Sequence, residues 1–307
     1  MVTYVTRRLL QGILVLFGIS FISFGAMFLS GDPTALMINE QWTQGQIDEF
    51  RHRMGFDRPW PVQYVDFLSH AVRGDFGTSL RTTEPAFALV MQRMPATLEL
   101  TFAAMLFSTI GAIPLGIISA VKRNTLPDYV SMSFAILGQA IPLFWLGILM
   151  IQLFGLELRW LPISGRGTIK HLIMPAVALG TFSLACNARL VRSSLLEALG
   201  QPYIVTARSK GLAERTVIIR HALLNALIPV VIVMGLQLGS LLGGAIITET
   251  IFAWPGVGRL TVNSIYNRDF PVVQASVTLL AAIFVVTNIA VDIACAYLDP
   301  RIRLEAD

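Results

Sequence analysis

Charge is what this chain has least of. Asp, Glu, Lys and Arg make up 14% of its 307 residues, where a soluble domain carries about a quarter. Lysine is scarcest: only Lys122, Lys170 and Lys210 occur, and none follows a glycine. A Walker-type phosphate loop needs Gly-Lys before a hydroxyl residue, so nucleotide binding of that kind is excluded. The four histidines, His52, His70, His171 and His221, stand apart, without the spacing of a zinc protease. No Gly-x-Ser-x-Gly elbow occurs, and Cys186 and Cys295 make neither a metal spacing nor a disulfide framework. No catalytic residue, metal ligand or cofactor of the chain's own is expected. Any energy source must be an ion gradient or another polypeptide.

Apolar length is what the chain has in abundance. Hydrophobic residues reach 54% and the mean hydropathy is +0.66. The excess gathers into six runs, at about 9–29, 96–121, 129–154, 172–190, 223–248 and 272–298. Each can cross a hydrocarbon core of ~30 Å, which takes about 20 helical residues. The first run is too long for a signal peptide, and Phe28-Leu29-Ser30 offers no small-x-small cleavage site. The expected fold is an all-α integral membrane protein, one domain with six transmembrane helices. The segment 30–95 after the first span is too long for a simple connection. Its turn at Gly31-Asp-Pro33 and its amphipathic stretches at 46–54 and 62–72 predict a small helical cap.

Positive charge sets the orientation. With the amino terminus inside, the cytoplasmic segments hold twelve Lys and Arg in 58 residues, against eleven in 106 outside. This is the inside bias of membrane proteins, and it puts both termini in the cytoplasm. The net charge of +4 is met by anionic lipid, so no nucleic-acid partner is needed. Ion coupling would leave ionisable groups within the spans. Only Glu99 and Asp292 qualify, and both lie near span ends, where capping or interfacial pairing is the first reading and a proton relay the second.

The most informative stretch is the basic break between the fourth and fifth spans, about 191–222. From 189 to 221 it carries Arg189, Arg192, Arg208, Lys210, Arg215 and Arg220 against only Glu197 and Glu214. Pro202 suits a first helical position, and Gly211 suits the left-handed residue after a helix end. A helix of about nine residues, ~13 Å long, fits between them. So short a helix is marginal in water. It gains stability either in a partner's groove or on a lipid surface. In the first reading Ala207 permits close approach, Tyr203 fills a pocket, and Arg208 and Lys210 meet acidic groups; Ala207→Trp would then block docking by bulk alone.

Within the membrane, Gly235, Gly239 and Gly243 make two overlapping Gly-x-x-x-Gly steps, a surface for close helix packing within the subunit or against another. Pro114, Pro142, Pro175 and Pro229 are expected to interrupt four spans. Gln139, Ser183, Asn187, Gln237 and Ser240 are the candidate pore-lining residues, although each such residue is more often a helix-to-helix hydrogen bond than a substrate contact. After the fifth span, Glu249, Phe252, Trp254, Pro255 and Gly256 form a tight aromatic turn. Phe252 and Trp254 would also suit an interfacial aromatic belt.

At these residues the chain resembles the inner-membrane permease subunits of ATP-binding-cassette importers, above all the dipeptide, oligopeptide and nickel branch. The resemblance is carried by Thr206-Ala-Arg-Ser-Lys-Gly-Leu212, Arg220-His-Ala-Leu-Leu-Asn-Ala-Leu-Ile-Pro229, Thr248-Glu-Thr-Ile-Phe-Ala-Trp-Pro-Gly-Val-Gly258 and Leu298-Asp-Pro-Arg-Ile-Arg303. Asp57-Arg-Pro-Trp-Pro-Val-Gln-Tyr64 and Gly74-Asp-Phe-Gly-Thr-Ser79 extend it towards the amino terminus. The wider family signature opens with a glutamate, and Val205 stands in its place here, so no salt bridge from that glutamate is carried over.

The resemblance implies a type I importer permease fold in a bacterial inner membrane. It also implies a coupling helix (Tyr203, Thr206, Ala207, Arg208, Lys210 and Gly211) and a periplasmic gate at Glu249–Gly256. The implied partners are a second homologous permease, two cytoplasmic ATPases carrying ATP and Mg²⁺, and a periplasmic substrate-binding protein. The implied cargo is a dipeptide or oligopeptide, with glutathione and nickel chelates as alternatives. A proton-coupled carrier using Glu99 or Asp292, and a membrane anchor without transport, are the rivals from other classes.

Overall fold

The computed structural model describes residues 2–29, 43–53 and 57–298. The turn expected at Gly31-Asp-Pro33 and the motif from Asp299 to Arg303 lie outside these residues. All the named elements are helical. First come α1 (Val2–Leu29), α2 (Gln44–Arg53), α3 (Trp60–Ala71) and α4 (Ala86–Val121). Next are α5 (Leu126–Ala140), α6 (Leu143–Met150), α7 (Ile169–Leu199) and α8 (Pro202–Ser209). One helical turn, Glu214–Thr216, and a wider π-helical stretch, Val217–Leu223, lead into α9 (Leu224–Ile251). The series ends with α10 (Val257–Tyr266) and α11 (Phe270–Leu298).

Five stretches are long and apolar enough to cross a membrane, and there are six when α5 and α6 count as one broken span. Large apolar side chains remain exposed along these helices, Leu14 and Ile22 at 70% among them. Such exposure is stable where the solvent is lipid, which is as apolar as leucine.

Of the four prolines expected to interrupt spans, one breaks its helix. Pro142 has no N–H to give and drives the preceding Ile141 into extended backbone (φ −77, ψ 123). The axes of α5 and α6, which continues as a π-helix to Glu157, consequently differ by 102°. Pro175 and Pro229 lie inside unbroken helices, and Pro114 lies within α4. In a membrane protein neighbouring groups and local widening re-satisfy the carbonyls such prolines free.

The described residues divide into two compact units. One comprises residues 97–254 with the end of α11 from Thr287. Its spine is α7, which packs along α5, α6 and α9. Small residues set the approach: a Cβ on Gly180 would come within 2.5 Å of the Ala104 carbonyl oxygen, and one on Gly116 within 2.5 Å of Val191. Glycine lets α7 lie directly against α4 at both points.

The other unit comprises residues 2–96 and 255–286. Phe17, Phe21 and Phe24 of α1 interleave with Trp60, Tyr64 and Phe67 of α3, several edge to face. The Ser20 hydroxyl hydrogen-bonds the Tyr64 phenol at 2.9 Å. The Gly74–Ser79 motif is an anchored turn in which Gly74 and Gly77 take left-handed backbone (φ 79 and 80). Phe76 is buried, and Ser79 donates to Asp269 Oδ2 at 2.5 Å.

Candidate functional site

The short helix of the basic break, α8, runs from Pro202 to Ser209. Proline opens it, and Gly211 follows its end with φ +72. Ile204 and Ala207 face inward, in one apolar cluster with Leu195, Ala198, Val217 and Ala222. That inward face corrects one expectation. Ala207 is 7% exposed, so its small size lets α8 settle on this chain's own core, and tryptophan there would displace α8 before testing any docking.

Pro202, Tyr203, Val205, Thr206 and Lys210 are exposed. Arg208 makes a two-pronged ion pair with Glu214, at 3.1 and 2.6 Å, which holds the end of α8 to the turn that begins the next span. The Glu214 carboxylate raises the Arg208 guanidinium above its ordinary value. Lys210 makes no such pair among the described residues.

A second feature was not anticipated from sequence. Two turns before the end of α7, Arg192 grips Asp128 with Nε at 2.9 Å and a terminal nitrogen at 2.8 Å. Ser119 at the end of α4 donates to the same carboxylate, as does the Asn124 backbone N–H at 2.9 Å. Asp128 is buried. The cluster locks the α4–α5 turn to the helix that leads into α8. The only sequence signal was a lone acid in a short basic loop, with no hint of its partner.

In the turn after the fifth span, Glu249 is fully buried and accepts a hydrogen bond from Thr97 at 2.6 Å. Phe252 and Trp254 are buried too, which removes the interfacial-belt reading for both. The Phe252 carbonyl accepts from Gly165 N–H at 3.0 Å. Arg166 lies over the Trp254 ring, 5.9 Å from its centre, and pairs with Glu99 at 2.5 Å. Glu99 is thus ion-paired, and Asp292 also has an interaction partner. Pro255 and Gly256 belong to the second unit, where Gly256 caps α10.

The pore-lining candidates separate into two groups. Gln139, Ser183 and Ser240 meet on the wall of a cavity of ≈ 340 Å³ beside the α5–α6 break. Asn187 instead donates to Gln237 at 3.0 Å and to Ser108 at 3.2 Å, an interhelical bond within the core. The glycine strip divides likewise. A Cβ on Gly235 would meet Val291 at 2.5 Å, Gly239 is buried, and Gly243 faces open space.

The comparisons with known proteins agree with this architecture. The family described as binding-protein-dependent transport system inner membrane component matches residues 112–304, and its N-terminal companion matches residues 1–101. The dipeptide transport system permease protein DppB of Alkalihalophilus pseudofirmus is 42% identical, over 99% of this chain and 100% of its own. The di/tripeptide transport system permease protein DppB of Pseudomonas aeruginosa is 39% identical, over 99% of each chain. The glutathione transport system permease protein GsiC of Escherichia coli is 42% identical, also over 99% of each.

Among solved structures, the inward-facing MetNI methionine ABC transporter superposes with a TM-score of 0.59 at 22% identity, covering 69% of this chain and 96% of the other. An amino acid ABC transporter crystallised with histidines gives 0.53 at 19%, covering 70% and 94%. With its all-helical, multi-span fold, the chain belongs to the binding-protein-dependent transport system inner membrane components, as a permease subunit of an ATP-binding-cassette importer whose ATP hydrolysis resides on other subunits.

Proposed function

We propose that this subunit carries dipeptides and short oligopeptides across the bacterial inner membrane by alternating access, around a pore shared with a second, homologous permease. Two cytoplasmic ATPases holding ATP and Mg²⁺ drive it, and a periplasmic binding protein delivers the cargo. The observation that carries this reading is the ordered α8 element. A short helix fixed by Ile204 and Ala207 on its inner face offers Tyr203, Val205, Thr206 and Lys210 on its outer face. Rigidly joined to α7 and α9, it turns the movement of an attached ATPase into movement of two spans.

In this reading both termini and the 191–222 region face the cytoplasm, supported by the excess of Lys and Arg there. The helices between α1 and α4 form the periplasmic cap. Glu249, Phe252 and Trp254, packed under the Arg166 loop, form a rigid outer plug, and Pro255 and Gly256 begin the next helix. Peptide cargo is supported by near full-length likeness to two di- and tripeptide permeases. Glutathione is the second reading, on equal identity to GsiC.

The test is a mild-detergent pull-down of the tagged chain from its native membrane, followed by reconstitution of what is recovered. Recovery of two Walker-motif ATPases and a second permease, with ATP-dependent uptake of alanyl-alanine, is the expected result. ATP-dependent uptake of glutathione alone would reassign the cargo. Uptake by the chain alone, abolished by collapsing the proton gradient, would overturn the importer reading.

A further inference from the structure

We propose that the cavity at the α5–α6 break is a transit site that binds the terminal carboxylate of the translocated peptide. The proposal rests on the peptide-importer reading and adds a binding chemistry to it. Gln139 at the break, Ser183 midway along α7 and Ser240 midway along α9 all line this one cavity. A discontinuous helix whose free end meets a mid-membrane cavity is an arrangement suited to an anionic group.

The donors are in place. α6 begins at Leu143, directly after Pro142, so the N–H groups of its first turn have no carbonyl partner within the helix. Helical backbone continues from there through Glu157, and the aligned peptide dipoles leave positive charge at the start. Pro142 and Leu143 belong to the cavity wall. A second, independent observation is Ser183. It is 4% exposed and lines the same cavity, yet its hydroxyl has no hydrogen-bond partner among the described residues. Thr181 beside it differs, since its hydroxyl is committed to the Val177 carbonyl at 2.6 Å.

What is missing from the wall matters equally. Among the lining residues there is no Asp, Glu, Lys or Arg. An anion is held here by dipoles and neutral donors, tightly enough to pause and weakly enough to leave, as conduction requires. The remaining wall is apolar, including Leu146, Ala178 and Leu179, and accepts side chains of varied shape. The cavity's ≈ 340 Å³ lies at the small end of ligand sites, of order 300–1,000 Å³.

The experiment uses the whole complex in proteoliposomes with its binding protein, ATP and radiolabelled alanyl-alanine. Two pairs of variants isolate single donors. Leu143→Pro and Leu143→Ala both lose the leucine side chain, but only proline removes the N–H. Proline is tolerated at a first helical position, and Pro142 already has the extended backbone a following proline requires (φ −60, ψ 136). Ser183→Ala removes the hydroxyl and Ser183→Thr keeps it.

Loss of one hydrogen bond to a charged group predicts that the proline variant imports about tenfold more slowly than the alanine variant, and Ser183→Ala about tenfold more slowly than Ser183→Thr. Equal rates within each pair would overturn the carboxylate site while leaving peptide import standing. A wild-type complex that imports no dipeptide would instead overturn the peptide reading, and this site with it.

Discussion

Asp128 and Arg192 lie 64 positions apart in sequence and meet in two hydrogen bonds. Removing one member of such a pair strands the other's charge in a poorly solvated place. Because Arg192 keeps 26% of its side-chain exposure, the cost belongs at the lower end of the roughly 3–5 kcal/mol that breaking a buried pair takes. Asp128→Asn should destabilise the subunit by about 3 kcal/mol, read as a lower melting temperature of the detergent-purified complex. An unchanged melting temperature would show that Ser119 and Asn124 hold the turn without the ion pair. Arg166 makes a different kind of link, stacked on buried Trp254 while paired with half-exposed Glu99. Arg166→Ala should cost only about 1 kcal/mol, with increased proteolysis of the 159–168 loop as its readout. None of these pairings was legible beforehand, because each joins side chains whose nearness depends on how long helices are rotated and offset.

At the scale of elements, α8 presents two faces with opposite sensitivities. Val205 is 61% exposed, and tryptophan there should leave the melting temperature of the permease nearly unchanged while abolishing co-purification of the ATPases. Tryptophan at Ala207 overfills the cluster under the helix and should cost about 1–3 kcal/mol, lowering melting temperature and ATPase recovery together. If Val205→Trp retained its ATPases, the outer face of α8 would not be the docking face. The ends of this helix were readable from Pro202 and Gly211, because proline and glycine act through their own backbone. Which side of it is buried was not readable, since eight residues carry too little periodicity to reveal a face. The broken third span shows the same limit. All four prolines carry the same chemistry, but Pro142 alone among them sits where the helix has parted.

At the scale of the molecule, the expected topology can be tested by labelling. With Cys186 and Cys295 replaced, a single cysteine introduced at Thr82 should react with a membrane-impermeant maleimide from the periplasmic side. One introduced at Ser209 should react only after the membrane is opened. The reverse pattern would invert the orientation and the assignment of α8 to an ATPase.

Composition and order of residues alone determined that this is a membrane protein, where its apolar runs lie and where its basic segment between the fourth and fifth spans falls. These follow from hydropathy, charge and backbone chemistry, which act over a few neighbouring residues and survive without knowledge of the fold. The motif series carried the family for the same reason. Tertiary structure decided which side of α8 is free, that Asp128 and Arg192 form a clamp, that Phe252 and Trp254 are buried, and that Gln139, Ser183 and Ser240 share a cavity while Asn187 and Gln237 bond each other. Each of those outcomes depends on the rotation and offset of helices far apart in sequence. That geometry is set by close packing at sites such as Gly180 and Gly116 and by the 102° break between α5 and α6.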